Sequence, residues 1–201
     1  MLVDTHCHLD HPRFDADIGA VIARAHEAGV LRMVTIGTGL PSSRAAVALA
    51  ERYAGVYAAV GVHPHEAKDW DAATLAELEQ LARHPKVVAI GEIGLDFYRD
   101  WSPRQAQARA FEAQLALAQQ LGLPVIIHDR EAHEAVLATL RAYAPVRGVL
   151  HSFSGDAQVA EAALALGLYL GISGSVTFPK ADALRQVVAL APLERLLIET
   201  D

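Results

Sequence analysis

Val87-Val88-Ala89-Ile90-Gly91-Glu92 sets a carboxylate at the end of a short apolar run, and the same device recurs along the chain. His6 and His8 follow Met1-Leu2-Val3, His128 follows Val125-Ile126-Ile127, His151 follows Val149-Leu150, and Asp201 follows Leu196-Leu197-Ile198. Runs rich in Val and Ile, bounded by Gly and Pro and separated by helical patterns, read as buried parallel strands. Eight are expected, near Leu2–His6, Met33–Gly37, Val56–Val62, Val87–Glu92, Val125–His128, Gly148–His151, Leu168–Ile172 and Arg195–Thr200.

The intervening segments carry a helical period. Ile18, Val21, Ile22 and Ala25 share one face before Gly29, and Leu75, Leu78 and Leu81 share one before Pro85. The fourth helix opens at Ser102-Pro103-Arg104-Gln105, a capping-box spacing with Pro at the first helical position, and stops at Gly122. Crossovers long enough for parallel connections, joined by short loops, predict an α/β chain folded as a (β/α)8 TIM barrel rather than an open sheet. In such a barrel the carboxyl ends of the strands converge, so ligand-type residues far apart in sequence meet on one face. The chain stops at Asp201, on the tip of the eighth strand, whereas barrels of this kind run to roughly 250 residues. The expectation is one barrel domain over residues 1–201, truncated at its C-terminal side and lacking the last loop and helix.

With 201 residues, 52% of them hydrophobic, the chain can bury a large core, and no linker or charge run divides it. One cysteine, Cys7, excludes an intramolecular disulfide; no basic-then-apolar leader or membrane-length segment is present. A cytoplasmic protein without an obligatory protein partner is expected. The formal charge of −7 argues against a general basic nucleic-acid-binding surface. It leaves a nucleic-acid enzyme open, because a substrate phosphate responds to the local field and bound divalent ions would supply positive charge there.

Strand alternation in Asp4-Thr5-His6-Cys7-His8 puts His6 and His8 on one face, where they can chelate one ion, and turns Cys7 away. Glu92, flanked by Gly91 and Gly94, is placed to bridge two metals; the helix it might otherwise cap starts about ten residues later, at Ser102. His128 and His151 complete a second, nitrogen-rich position. Glu199 and Asp201 share a face, and Asp201, nearer the mouth, is the better ligand or base. For Asp96 a hydrogen-bonding role in its loop and a catalytic role stand equal. The loop Leu95-Asp96-Phe97-Tyr98-Arg99-Asp100-Trp101 offers rings on which a splayed base could stack or which could pack against the rim. His26, His84 and His133 fall on helices or helix ends away from strand tips, and His11 lies in the first loop beside Pro12.

Taken together, Val3-Asp4-Thr5-His6-Cys7-His8-Leu9-Asp10, Gly61-Val62-His63-Pro64-His65, Gly91-Glu92-Ile93-Gly94-Leu95-Asp96, Ile127-His128-Asp129-Arg130, His151-Ser152-Phe153-Ser154-Gly155 and Glu199-Thr200-Asp201 resemble the TatD family of metal-dependent deoxyribonucleases. The resemblance spans residues 3 to 201. It implies an amidohydrolase-type TIM barrel that hydrolyses DNA with divalent metal, often as a 3′ exonuclease. It also implies that His6, His8, Glu92 and Asp201 hold one metal, that Glu92, His128 and His151 hold the other, and that His63, His65 and Arg130 face the substrate phosphate. The chemistry fits: two ions would polarise a phosphoryl oxygen and make hydroxide available at neutral pH. Asp201 would orient and deprotonate the nucleophilic water, and Arg130 would hold non-bridging oxygens by its fork. Imidazole and carboxylate ligands suit Zn or Mn and tolerate Mg.

Two other readings compete. A barrel hydrolase for another ester, amide or lactone would often bridge its metals with a carboxylated lysine, but Lys68, Lys86 and Lys180 close no strand, whereas Glu92 does. A non-catalytic truncated barrel would not need intact motifs.

Overall fold

The computed structural model describes residues 1–201. Eight strands lie in a single parallel sheet in strict chain order. They are β1 (Leu2–Cys7), β2 (Val30–Ile36), β3 (Val56–Val60), β4 (Val87–Asp96), β5 (Val125–Arg130), β6 (Gly148–Leu150), β7 (Tyr169–Ile172) and β8 (Leu196–Ile198). Seven helices fill the crossovers: α1 (Ile18–Glu27), α2 (Leu40–Arg52), α3 (Ala72–Ala82), α4 (Arg104–Leu121), α5 (His133–Ala142), α6 (Ala157–Ala165) and α7 (Asp182–Leu190). Short β8 meets β1 through a clasp rather than a ladder. Thr5 Oγ1 donates to the Ile198 carbonyl (3.1 Å), Asp201 N–H to the His6 carbonyl (2.9 Å), and the Asp4 carboxylate takes both Thr200 N–H (3.1 Å) and its hydroxyl (2.6 Å). This closes the expected barrel. No helix is long and apolar enough to cross a membrane.

Two apolar layers follow from strand alternation. The larger lies between strands and helices and includes Val60, Ile90, Ile93, Ile127, Leu150 and Phe111. Ile22 and Leu78 are buried in it, with Ile18, Val21, Ala25, Leu75 and Leu81 packed alongside, as the helical periods require. The smaller layer, Ile36, Ala59, Ala89, Ile126 and Val149, plugs the barrel interior. In β4 the register slips between Ile90 and Ile93. Those two residues both face the helices, and Glu92 between them turns inward, as bulges beside sites commonly re-aim a side chain.

Several boundaries differ from the sequence reading, each for a local reason. β4 continues past Glu92 because Ile93–Asp96 pair with Ile127–Arg130. Gly94 makes that possible: its φ is +144°, and a Cβ there would collide with the His128 carbonyl. β3 stops at Val60 because the backbone N–H and C=O of Val62 are taken by the Gln114 side chain (2.7 and 3.1 Å). β8 is trimmed at both ends, since Arg195 closes a 3₁₀ turn and Thr200 bonds to Asp4. Ser102 does not cap α4. Its hydroxyl donates to the His65 carbonyl (2.7 Å) and accepts Lys68 N–H (3.0 Å), leaving Pro103 at the cap position. Gly122 does end α4, in the left-handed region at φ +67°.

Candidate metal centre

Glu92 is buried at the centre of the carboxyl mouth, and its two oxygens face different partners. Oε2 lies 3.5 Å from His6 Nε2 and 4.0 Å from His8 Nε2. Oε1 lies 2.8 Å from His128 Nδ1, 2.8 Å from His151 Nε2 and 3.4 Å from His63 Nε2. Asp201 Oδ1 completes the first group, 3.6 Å from each of His6 Nε2 and His8 Nε2. The strand ends thus gather all six expected ligand residues.

Tautomers decide which nitrogens can take an ion. His8 Nδ1 lies 3.2 Å from the Ile36 carbonyl, which can only accept, so the proton sits there and the Nε2 lone pair is free. That Nε2 faces His6 Nε2 at 3.2 Å. His128 Nε2 lies 3.0 Å from Asp96 Oδ2, so its Nδ1 aims a lone pair at the Glu92 carboxylate. A lone pair turned toward a carboxylate, as His128 Nδ1 is toward Glu92 (2.8 Å), repels it unless a cation lies between them, so the donor set fits metal binding. His63 differs. Its Nδ1 accepts His65 N–H (3.0 Å), which leaves the proton on Nε2. Although His63, Glu92 and His128 lie close enough to share an ion, His63 is built as a donor.

A supporting tier sits behind these groups. Asp96 Oδ2 takes His65 Nε2 (2.8 Å) as well as His128, while Oδ1 accepts Tyr98 and Arg99 N–H (3.0 and 2.8 Å). Asp96 is therefore an orienting carboxylate. Glu199 is buried beneath His151, with Oε1 3.6 Å from His151 Nδ1 and accepting Ser152 N–H. His6 Nδ1, His151 Nδ1 and Glu199 Oε2 have no hydrogen-bond partner. Gln107 from α4 brackets Asp96: Oε1 accepts Asp96 N–H (2.8 Å), and Nε2 donates to the carbonyls of Asp96 (3.1 Å) and Ser102 (2.9 Å). Gln114, seven residues on, brackets Val62 just before His63. The sequence reading missed these glutamines; the available signal was two polar residues on the helix face that also carries Ala110 and Phe111.

Where protons rather than a cation lie between these groups, the imidazoles face the carboxylates as donors and set the protonation balance. For Glu92, burial opposes the charge, yet His151, His63 and His128 hold the carboxyl well below its usual range. For His151, burial is likewise outweighed, and Glu92 and Glu199 raise the imidazole well above its usual value. Burial lowers His6 and His63. The His8 imidazole brings Asp201 down to about 2. In Asp96 the penalty of burial is overcome by Arg99 N–H, His65 and His128, giving about 2.

The remaining residues take distinct places. Cys7 packs in the outer layer, its thiol donating to the Val34 carbonyl (3.3 Å), away from His6 and His8. Arg130 is exposed at the tip of β5 with its guanidinium 4.3 Å from the Tyr98 ring centre. His133 bonds Asp129 (2.8 Å) at the start of α5, and His84 pairs with Glu51 (3.1 Å), both outside the cluster. A cleft of about 410 Å³, lined by His128, Arg130, His151, Ser152, Ser154, Ser175 and Asp201, opens beside the carboxylates.

Imidazoles and carboxylates converging at the mouth of a parallel barrel define a metal-dependent hydrolase. The chain belongs to the TatD related DNase family, which it matches over residues 3–201. It is 43% identical over 203 residues to the uncharacterized metal-dependent hydrolase YabD of Bacillus subtilis, covering 100% of this chain and 80% of that protein. It is 44% identical over 204 residues to the 3'-5' ssDNA/RNA exonuclease TatD of Edwardsiella piscicida, covering 100% and 78%. The crystal structure of YjjV, a TatD homologue from Escherichia coli K12, superposes with a TM-score of 0.94 at 39% identity, covering 100% and 78%. The phosphotriesterase homology protein of Escherichia coli, 16% identical with a TM-score of 0.69 over 100% of this chain and 81% of that one, shares the fold.

Proposed function

We propose that this chain is a two-metal 3′ exonuclease that hydrolyses phosphodiester bonds of single-stranded nucleic acid, DNA foremost. The observation that carries the reading is the division of the Glu92 carboxylate, with one oxygen toward His6 and His8 and the other toward His128 and His151. His6, His8, Glu92 and Asp201 would hold one ion, and Glu92, His128 and His151 the other. Zn or Mn suits this donor set and Mg is tolerated. When bound, such ions supply Lewis-acid polarisation and make hydroxide available at neutral pH.

The chain's own groups do the rest. Asp201, ionised and partly open to the mouth, positions the attacking water and accepts its proton. His63, with its proton on Nε2, donates to a non-bridging phosphoryl oxygen. Arg130 supplies a planar fork for the same phosphate, and His65, tied to Asp96, lines that side of the site. The names of the TatD relatives support a single-stranded substrate.

The test is cleavage of a 5′-labelled single-stranded oligonucleotide by purified protein with Mn, Mg or Zn and with chelator. A ladder shortening from the 3′ end, abolished by chelator and lowered by orders of magnitude in Glu92→Ala and His128→Ala, is expected. Near-full activity after metal removal would sink the mechanism.

A further inference from the structure

The loop that follows β4 holds its aromatic rings in two different ways. Phe97 packs against the core, but Tyr98 is 53% exposed and Trp101 61% exposed. The loop is nonetheless tied down, because Asp96 Oδ1 accepts the N–H groups of Tyr98 and Arg99 while Oδ2 holds His65 and His128. Trp101 stands against His65, ring centres 4.5 Å apart, and His65 is 6.1 Å from His128. Two ring-to-ring steps therefore separate the indole from a residue of the metal set.

Cations accompany the rings. The Arg99 guanidinium lies 5.6 Å from the Trp101 ring centre and 5.5 Å from that of Tyr98, whose ring also receives Arg130 at 4.3 Å. Arg99 and Arg130 are themselves exposed. In a chain with a net charge of −7, two arginines beside exposed aromatic faces at the mouth mark a local exception. That pairing suits a ligand with alternating flat rings and anionic links, which is a single strand of nucleic acid. A duplex keeps its bases paired and stacked, so it leaves a free face only on its terminal pair and no single base to splay onto a ring.

We propose that Trp101, with Tyr98, is a base-stacking subsite for a nucleotide next to the scissile phosphate, and that Arg99 holds the phosphate beyond it while Arg130 stays on the scissile one. The subsite rests on the phosphodiesterase reading above and adds what positions the strand. It makes unpaired ends better substrates than duplex ends and favours no base strongly, since every base has a face to stack.

The test compares a single-stranded oligonucleotide with versions lacking one base at each of the last three 3′ positions, cleaved by wild type, Trp101→Ala and Trp101→Phe with Mn. Base-on-aromatic stacking predicts that wild type loses about 5- to 100-fold in kcat/KM when the stacked base is absent, mainly through KM. Trp101→Ala should lose a similar factor on the intact strand and show no further penalty for the missing base, whereas Trp101→Phe keeps most of both. Metal content should be equal in all three proteins. Indole fluorescence of metal-free Trp70→Phe protein should be quenched by the same oligonucleotide. An unaltered missing-base penalty in Trp101→Ala, or no penalty at any position in wild type, overturns the subsite while leaving nuclease function standing. Failure of metal-loaded wild type to cleave any strand overturns both.

Discussion

Gln107 offers the sharpest test of how the metal centre is held. The side chain is fully buried, and replacing it with leucine keeps its bulk and helix propensity while removing three hydrogen bonds. Asp96 N–H loses an acceptor, and the carbonyls of Asp96 and Ser102 lose a donor. A buried backbone group left without a partner costs about 1–3 kcal/mol, with carbonyls, which tolerate under-satisfaction better than N–H groups, at the low end. Greater apolar burial returns roughly 1–2 kcal/mol, so Gln107→Leu should destabilise by about 1–4 kcal/mol. For a chain of this length each kcal/mol moves Tm by about 2–4 °C, giving a fall of roughly 2–15 °C. Because Asp96 orients His128, metal affinity should also fall by about 10- to 100-fold. Thermal denaturation of metal-free protein followed by Mn titration reads both, with exposed Gln105→Leu as the control, expected within about 0.5 kcal/mol of wild type. A Tm within about 1 °C of wild type together with unchanged metal affinity would refute the reasoning, because Asp96 would then be held by something else.

Asp96 itself gives a pH signature. Its folded pKa of about 2 lies below the ordinary 3.8, so its stabilisation is present above about pH 4 and is lost as pH falls through 2; the gap in urea midpoint between wild type and Asp96→Asn should close over that range, and a constant gap would contradict it. Thr200→Val removes the 2.6 Å bond to Asp4 and should cost about 1 kcal/mol. It should also speed hydrogen exchange at the Asp201 amide, with Thr200→Ser restoring both; unchanged exchange would show that the clasp does not order Asp201. Cys7→Ser should leave the number of bound metals unchanged, because the thiol faces the Val34 carbonyl; a lost metal equivalent, read by elemental analysis, would show that β1 presents Cys7 to the site.

The barrel was legible because its signals are local. Apolar runs of strand length, helical periods and short loops each state their element, and a ligand-type residue at a strand end is already aimed at the mouth. The supporting tier is less visible because it depends on contacts between distant segments. Gln107 and Gln114 resemble the solvent face of a helix until Asp96 and Val62 are set beside them. Ser102 carries the spelling of a helix cap, yet the carbonyl of His65 competes for its hydroxyl and wins. Strand ends were misplaced where side chains replace the ladder, as at Val62 and Thr200. Asp96 could be read two ways from sequence, since only the positions of His65 and His128 reveal what its carboxylate holds.

The central claim is that Glu92 divides one metal centre into two positions. Anomalous diffraction from crystals soaked in Mn measures this directly. The expected map has two peaks, one among His6, His8 and Asp201 and one between His128 and His151, with the Glu92 carboxylate between them. A single peak, or a pair of which neither touches Glu92, would contradict the account.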